Sequence, residues 1–308
     1  TMKKLDATPM SETIKRYGKG KMKDVLELNP RLITTINDLA LISTGEVFRT
    51  QKDMRLRGVF YPQHGLLEIC QTLATFIRNN GGTIHLNTPV TRINIINGRA
   101  EGIEAAGKQY EYDIVVSDIL VQHLFSIADE TLFPTDYVTM MKTLKGTGSL
   151  CAYYALNRIN EDLPGKTFVF VERNLGVDGN DAAGMIDFMT AAPQAGLSSP
   201  NHYLVQAYII CSPQEAVDKR MLPRLKDTLD RNLRRIIPDY TKDLQWAIYP
   251  STWHLDGVAK TIRNTKPEIQ TPVNNLYLIG DCVKAAGIGI NCAINSAQDL
   301  CDLLAKKQ

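Results

Sequence analysis

The most constraining feature of the sequence is a strand, a glycine turn and a helix near residue 280. Residues 276–279 form an apolar run typical of a buried strand, which ends at Gly280 and Asp281. Small residues follow at 285–289, and helical periodicity predicts a closing helix from about residue 290 to 304. Ligands of α/β proteins bind at the carboxyl end of such a strand, where glycines admit them and a helix N-terminus favours an anion. The segment therefore predicts an α/β fold with a ligand site, although the glycine spacing alone also fits an ordinary strand, turn and helix.

Further β-structure is predicted upstream of this segment. Residues 83–87, 90–96 and 99–105 have the composition of strands, and Asn97 and Gly98 join the last two. Because Asn and Gly tolerate the positive φ angles of a two-residue hairpin turn, these strands are predicted to form a β-meander. The short apolar run at 112–117 is typical of a strand buried on both faces of a parallel sheet.

The centre of the chain has a different succession of predicted strands and helices. It contains several predicted strands without alternating helices, and one long helix from about residue 213 to 237. The predicted strands are 149–156, 167–171, 185–189, 203–211 and 244–249. This succession favours a mixed or antiparallel sheet, so we expect an α+β domain inserted into the first domain. The predicted boundaries are 58–120 with 265–308 for the first domain, and 1–57 with 121–264 for the inserted one.

The composition excludes several classes of function. With 35 basic and 33 acidic residues the formal charge is +2, so nothing indicates a nucleic-acid partner. The six cysteines include no C-x-x-C pair and the five histidines show no metal-ligand spacing, so we predict reduced thiols and no metal. No apolar run approaches the ~20 residues that span a bilayer, and no signal core follows the first residues. We expect a cytoplasmic protein, with a peripheral membrane contact through Met140 and Met141 as an alternative to their packing in a core helix.

Two separated segments resemble motifs of one flavoprotein group. Residues 275–281 and 287–289, with Ser296 and Ala297, are similar to the closing FAD-binding motif of phytoene desaturases, carotenoid isomerases and amine oxidases. Upstream, residues 61–65 open a predicted helix that ends near Asn79, and residues 81–103 follow. They resemble the Tyr-Pro-x-Gly-Gly signature of this group and the helix, strand and meander after it. Two motifs in the same order make the resemblance specific.

The resemblance implies an FAD-dependent oxidoreductase that transfers hydride between FAD and an apolar, isoprenoid-like small molecule. Carried onto this sequence, it implies that Val90 presents its backbone to the adenine. Asp281, directly after Gly280, would hold ribityl or diphosphate oxygens. The turn against the isoalloxazine ring would consist of Gly287, Ile288, Gly289 and Ile290. The chemistry belongs to the cofactor, so no catalytic side chain is assigned.

The resemblance also implies a Rossmann-like FAD-binding domain of the glutathione-reductase type with a β-meander. The Gly-x-Gly-x-x-Gly unit that seats the FAD pyrophosphate in this group is absent from the 308 residues. We therefore expect an incomplete domain in a carboxy-terminal fragment that is inactive by itself. FAD is expected in the full-length protein, and its binding to this chain alone is left open. Exposed strand edges would favour self-association. His64 departs from the motif too, since the group has glycine there.

Other interpretations fit the same residues. An amine oxidase usually needs an aromatic pair facing the flavin, and the sequence identifies none. A binding protein on the same scaffold, such as the GDP-dissociation inhibitors of prenylated GTPases, keeps the fold without redox chemistry. The aromatic residues of the central strands and of 246–254 could line an apolar tunnel, but packing in the sheet core is favoured. Cys282 and Cys292 could be redox partners of a flavin, with the start of the last helix stabilising a Cys292 thiolate, but packing as small apolar residues is again favoured.

Overall fold

The protein is a mixed α/β structure. A computed structural model describes residues 2–58, 60–263 and 265–306. Within these residues the helices are α1 Met2–Asp6, α2 Met10–Tyr17, α3 Lys21–Thr34, α4 Thr44–Arg57, α5 Leu67–Asn79, α6 Thr135–Thr143, α7 Met221–Ile236, α8 Tyr240–Asp243 and α9 Ile290–Ala305. The strands are β1 Val90–Ile96, β2 Arg99–Ala105, β3 Lys108–Glu111, β4 Val115–Ser117, β5 Gly148–Leu156, β6 Thr167–Glu172, β7 Ala182–Asp187, β8 Tyr203–Cys211, β9 Leu244–Ile248, β10 Ser251–Thr252 and β11 Leu276–Leu278. None of the helices in the described ranges is long and apolar enough to cross a membrane.

The chain forms two compact units, and both are discontinuous in sequence. The first unit comprises Thr1–Ile84 and Thr147–Leu255, and the second comprises His85–Gly146 and Asp256–Gln308. The division of the chain into an FAD-binding and a substrate-binding domain stays a prediction. Its segments include residues 1, 59, 264, 307 and 308, which lie outside the described residues.

The first unit is built on an antiparallel sheet. Its strand order is β10-β5-β8-β7-β6, and β9 also pairs with β5. Side chains alternate along β5, where Leu150, Ala152, Tyr154 and Leu156 are buried and the residues between them are partly exposed. The same core contains leucines of α7 at positions 225, 229 and 233, so this helix covers the buried face. The structure confirms antiparallel pairing in the central region, and the long helix is shorter than predicted because residues 215–217 form a separate 3₁₀ turn.

The second unit contains a β-meander, but its three strands are β1, β2 and β3 and do not include the strand predicted at 83–87. Asn97 and Gly98 have φ angles of 52° and 74°, as a two-residue hairpin turn between β1 and β2 requires. The strand predicted at 83–87 is wrong, because no strand forms there and Asn87 adopts a φ of 54°. The third strand is β3, which follows a second turn at Ala106 and Gly107. The meander therefore begins at Val90.

A parallel pair of strands lies in the second unit beside the meander. β4 and β11 pair in parallel from Val115 with Leu276 to Ser117 with Leu278. Val115 and both leucines belong to the core of this unit, but Val116 is 41 % exposed. The prediction that β4 is buried on both faces is therefore wrong for the described residues, in which β4 pairs with β11 alone.

Candidate functional site

Two aspartates lie beyond the ends of the parallel strands. Asp118 directly follows β4, and Asp281 follows β11 after Ile279 and Gly280. Because the strands are parallel neighbours, their carboxyl ends share one edge of the sheet. A Cβ atom at Gly280 would stand 2.2 Å from Asp118 Oδ1, so the two segments touch here. Partial burial raises the pKa of Asp118, and the negative charge of Asp281 raises it further.

Gly280 is fixed by the closing helix. Its N–H donates to Ser296 Oγ at 2.8 Å, and this hydroxyl donates to the carbonyl of Ala293 at 2.7 Å. The φ angle of Gly280 is 104°, in the region that favours glycine. The glycine after the strand and the serine in the helix thus have a shared structural role: they fix β11 to the first half of α9.

We expect Gly280→Ala to destabilise the second unit by about 1–3 kcal/mol, because alanine would be held at a positive φ. The new methyl group would also displace the Asp118 carboxylate. The matched control is Gly98→Ala, since Gly98 also has a positive φ but open space at its Cβ position. Urea unfolding measures both variants. A larger loss for Gly280→Ala is the expected result, and equal losses would show that moving Asp118 has no cost.

Asp281 is held through both its main chain and its side chain. Its carbonyl oxygen accepts a hydrogen bond from Lys266 Nζ at 2.5 Å, and its Oδ2 accepts one from the Gly257 N–H at 3.1 Å. The thiol of Cys282 donates to Oδ1 at 3.3 Å. Lys266 is only 1 % exposed. A lysine is almost never fully buried unless it is paired, so this ammonium group belongs to the polar structure of the site.

The loop between Asp281 and α9 contains two glycines at positive φ, Gly287 at 83° and Gly289 at 54°. Lys260 Nζ donates to the carbonyls of Gly287 at 3.1 Å and Ala285 at 3.4 Å. A Cβ at Gly289 would meet no atom within 4 Å, so the backbone is open to close approach there. The N–H groups of the first turn of α9 have no intrahelical partner. The loop can therefore present backbone donors to an anion or a polarised carbonyl.

Six of the seven predicted site residues lie on one segment, which consists of the loop after β11 and the first residue of α9. These are Gly280, Asp281, Gly287, Ile288, Gly289 and Ile290, between β11 and the first residue of α9. Val90 lies elsewhere in the second unit, as the first residue of β1, where it pairs with Ala105. The roles of all seven in cofactor binding stay predictions.

The two cysteines of the loop region are buried. Burial raises the pKa of Cys282 to about 12, with a further contribution from the charge of Asp281. Burial also raises the pKa of Cys292, so the predicted stabilisation of its thiolate by the helix start is outweighed. Both thiols are therefore protonated at neutral pH, and Cys282 belongs to the hydrophobic core of the second unit. Among residues 2–58, 60–263 and 265–306, no cluster of His, Cys, Asp and Glu is arranged to hold a metal ion.

Sequence reasoning missed the charged residues that surround the loop. They are Asp256, Lys260 and Lys266, and we call residues 256–263 with 265 and 266 the lysine segment. Asp256 is 3 % exposed. Burial raises its pKa to about 7, Lys266 lowers it, and Asp281 raises it again. These residues lie in irregular structure with no periodicity, so nothing in the sequence distinguished them from solvated loop charges.

His64, which stands where the motif has glycine, lies in the first unit and adopts a backbone conformation typical of glycine. It adopts a φ of 65°, a conformation that glycine adopts without strain. Its N–H donates to the carbonyl of Ala195 at 2.8 Å. A Cβ at Gly196 would stand 2.7 Å from His64 Nδ1, so the ring packs on this second glycine. The imidazole occupies space that a glycine would leave open.

Comparisons with known proteins agree on one fold. The family model for flavin-containing amine oxidoreductases matches residues 26–305. An oxidoreductase from Methanosarcina mazei has a TM-score of 0.76 and 20 % identity over 96 % of this chain and 68 % of that chain. A triple mutant of putrescine oxidase has a TM-score of 0.65 and 13 % identity over 99 % of this chain and 69 % of that chain. The CLA-producing fatty acid isomerase from P. acnes has a TM-score of 0.61 and 12 % identity over 98 % of this chain and 67 % of that chain. No match was found among curated proteins.

Proposed function

Since the chain belongs to the family of flavin-containing amine oxidoreductases, we propose that the loop between β11 and α9 binds FAD in a phytoene-desaturase-like enzyme. The enzyme transfers hydride between FAD and an apolar, isoprenoid-like substrate. The observation that carries this proposal is the loop itself: the Asp281 carboxylate, the open backbone at Gly289 and the N-terminus of α9 lie on one short segment. Val90 would contribute backbone groups to the adenine.

The residues of the loop fit the ribityl chain and the ring system of a flavin. Open space at the Cβ position of Gly289 admits a flat ring close to the backbone. The Asp281 side chain, at the carboxyl end of β11, can accept hydrogen bonds from ribityl hydroxyls. When bound, FAD supplies the hydride acceptor or donor. The protein orients it, because Lys260 fixes the turn by its bonds to the carbonyls of 285 and 287. The first N–H groups of α9 would stabilise negative charge on a ring carbonyl of a bound flavin.

The first unit offers an apolar surface for the substrate. On the face of the antiparallel sheet opposite α7, Tyr153 and Tyr208 are partly exposed, Trp246 is 48 % exposed and Ile248 is 54 % exposed. Strand pairing brings Ile248 beside Tyr153. The aromatic residues therefore divide between the two faces: Tyr154, for example, packs in the core, whereas Trp246 supports the interpretation of an apolar substrate surface.

A second candidate, amine oxidation, is favoured by one carboxylate on that surface. Asp187 pairs with Gln206, which pairs in turn with Tyr153, so its side chain points to the same face. Burial raises the pKa of Tyr61, and the charge of Asp187 raises it further. An acidic group among aromatic rings can bind an organic cation, such as a protonated amine with an apolar body.

Flavin titration tests the proposal. Protein is added to FAD, and binding is read from flavin fluorescence and absorbance. We expect Asp281→Ala to weaken FAD binding by about tenfold or more, since a charge-assisted hydrogen bond contributes about 1.5–3 kcal/mol. Asp299→Ala, which removes an exposed carboxylate of α9, is the control and should bind as the parent does. Because the Gly-x-Gly-x-x-Gly unit is absent from these 308 residues, the cofactor assignment is wrong only if a longer protein that contains this chain and such a unit also binds no FAD.

Anaerobic mixing of the flavin-loaded protein with candidate substrates separates the two chemistries. Bleaching of the flavin by a polyprenyl hydrocarbon supports the desaturase-like function. Bleaching by alkyl or aryl amines alone supports amine oxidation and contradicts the apolar substrate. A protein that binds FAD or prenyl chains without any change in flavin absorbance would be a binding protein on the same scaffold.

A further inference from the structure

A cavity of about 470 Å³ lies at one end of the sheet in the first unit. One row of paired residues lines it, in which Ala155 of β5 pairs with Leu204 of β8 and with Trp246 of β9. Leu197 and three polar residues come from the loop between β7 and β8. We call this the turn cavity, and its lining residues are 155, 197–199, 202–204, 245 and 246.

The turn cavity continues the sheet face opposite α7. In the next row along the strands Tyr153 pairs with Ile248, and in the row after that Cys151 pairs with Tyr208. Residues two apart on a strand point to the same face and are roughly 6.6 Å apart, so these rows extend about 13 Å from the cavity. A long apolar ligand that lies along this face would therefore place one of its ends in the turn cavity.

A tight turn fixes the polar side of the cavity. The N–H of His202 donates to the carbonyl of Ser199 at 3.0 Å, which closes a four-residue turn through Pro200 and Asn201. Asn201 has a φ of 63°, which asparagine tolerates at the third position of such a turn. The hydroxyl of Ser198 donates to the carbonyl of His202 at 2.6 Å. Both backbone polar groups of His202 are thus held.

The same turn determines which nitrogen of the His202 ring carries hydrogen. The Nδ1 atom lies 3.1 Å from the carbonyl oxygen of Pro200. A carbonyl oxygen only accepts, so Nδ1 is the donor. In the neutral imidazole the other nitrogen, Nε2, is then an acceptor. Ser199, which also lines the cavity, adds a hydroxyl donor. One turn therefore offers a ligand an acceptor and a donor.

We propose that the turn cavity binds the hydroxyl end of a long apolar alcohol whose chain lies along the sheet face opposite α7. The O–H of the alcohol donates to His202 Nε2, and its oxygen accepts from the Ser199 hydroxyl. A hydrocarbon makes neither bond, and a carboxylate has no hydrogen to donate to Nε2. The cavity narrows the substrate class of the proposed function, and the claim that this ligand is the substrate rests on that function.

An amine would bind at a different place on this face. Asp187 of β7 lies in the row of Tyr153, and its Oδ1 accepts hydrogen bonds from the Thr167 hydroxyl at 2.8 Å and the Met189 N–H at 3.0 Å. A carboxylate held in this way attracts an ammonium group more strongly than the neutral turn does. Dependence of binding on His202 or on Asp187 therefore distinguishes an alcohol site from an amine site.

Tryptophan fluorescence measures binding at the cavity directly. The sequence contains two tryptophans, so Trp253→Phe leaves Trp246, which lines the cavity, as the sole emitter. This protein is titrated without FAD with farnesol and with farnesyl methyl ether, which keeps the oxygen but has no O–H. We expect saturable quenching by both ligands. Farnesol should bind about three- to tenfold more tightly, which is the effect of one neutral hydrogen bond.

Two substitutions in the Trp253→Phe protein separate the two hydrogen bonds. His202→Phe keeps a ring but removes the acceptor, so farnesol and its ether should bind equally. Ser199→Ala should weaken both ligands by a similar factor, because each has an oxygen that accepts. The control is His85→Phe, which replaces an exposed histidine of the second unit and should keep the preference for farnesol. An unchanged preference in His202→Phe would overturn the proposal.

Two further outcomes would also contradict an alcohol site. One is the absence of saturable quenching by farnesol. The other is quenching by farnesylamine alone that is lost in Asp187→Asn, because the polar end would then lie at the carboxylate. These titrations contain no FAD, so their failure leaves the cofactor assignment untouched. A protein that binds no FAD can in turn still bind the alcohol, and the two proposals therefore fail separately.

Discussion

Replacing Asp230 with alanine is expected to lower the free energy of unfolding of the first unit by about 3–4 kcal/mol. Asp230, on α7, accepts hydrogen bonds from the hydroxyls of Tyr154 at 2.8 Å and Tyr249 at 2.7 Å. Lys226 Nζ donates to its other oxygen at 2.6 Å. Tyr154 is fully buried, so its hydroxyl would lose its partner where no water replaces it. An unsatisfied buried donor costs about 1–3 kcal/mol, and two tyrosines are affected.

The control for Asp230→Ala is Asp162→Ala in the same unit. The Asp162 side chain is 71 % exposed and pairs with Lys166 at 3.0 Å. Exposed ion pairs contribute about 0–1 kcal/mol, so this variant should be close to the parent in urea unfolding. Similar losses for both variants would contradict the argument that buried hydroxyls cause the effect. Tyr249→Phe, which removes one of the two hydroxyl donors, should cost less than Asp230→Ala.

The second large effect is expected for Lys266→Met, at about 3–5 kcal/mol of stability in the second unit. The substitution keeps most of the side-chain volume and removes a buried ammonium group. Removing one member of a buried charged interaction costs about this much, because the remaining groups stay buried without the opposite charge that stabilised them. Here the carbonyl of Asp281 would lose its 2.5 Å bond, and the carboxyl group of Asp256 would lose the nearby positive charge that lowers its pKa.

Lys284→Met is the matched control for Lys266→Met. Lys284 lies in the same unit, its side chain is 42 % exposed, and it pairs with an exposed glutamate, Glu268. Its loss should cost less than about 1 kcal/mol. In the double variant Lys266→Met with Asp256→Asn, part of the loss should be recovered, because no ionisable carboxyl remains beside the missing ammonium. Additive losses in the double variant would show that Lys266 and Asp256 do not interact.

Local sequence signals predicted the parts of the fold that local interactions determine. The Asn97–Gly98 turn, β11 and α9 were found because turn chemistry and periodicity act over a few residues. Helix α4 was missed because its apolar residues are sparse. A capping signal was present, however, since Ser43 is followed by Glu46 and its hydroxyl accepts from the Glu46 N–H at 3.2 Å.

The sequence predicted only the part of the candidate site that lies between strand β11 and helix α9. Gly280, Asp281 and the turn to Ile290 lie on a segment of regular pattern. The residues that hold them come from the lysine segment and from the end of β4, where Asp118 lies. The sequence does not distinguish a buried lysine from an exposed one, because tertiary packing decides whether the side chain is buried. For this reason Lys266 and Asp256 became visible in the structure alone.

The parallel pairing of β4 with β11 has a consequence for the order in which the protein folds. Asn275, just before β11, bonds to the carbonyl of Asp113, just before β4, across a separation of 162 residues. At a synthesis rate of about 5–20 residues per second, β4 leaves the ribosome roughly 8–30 s before its partner strand exists. In this interval its apolar residues have no sheet to join and are available to chaperones or to other chains. Folding of the second unit should therefore be a late event, limited by closure of a very long loop.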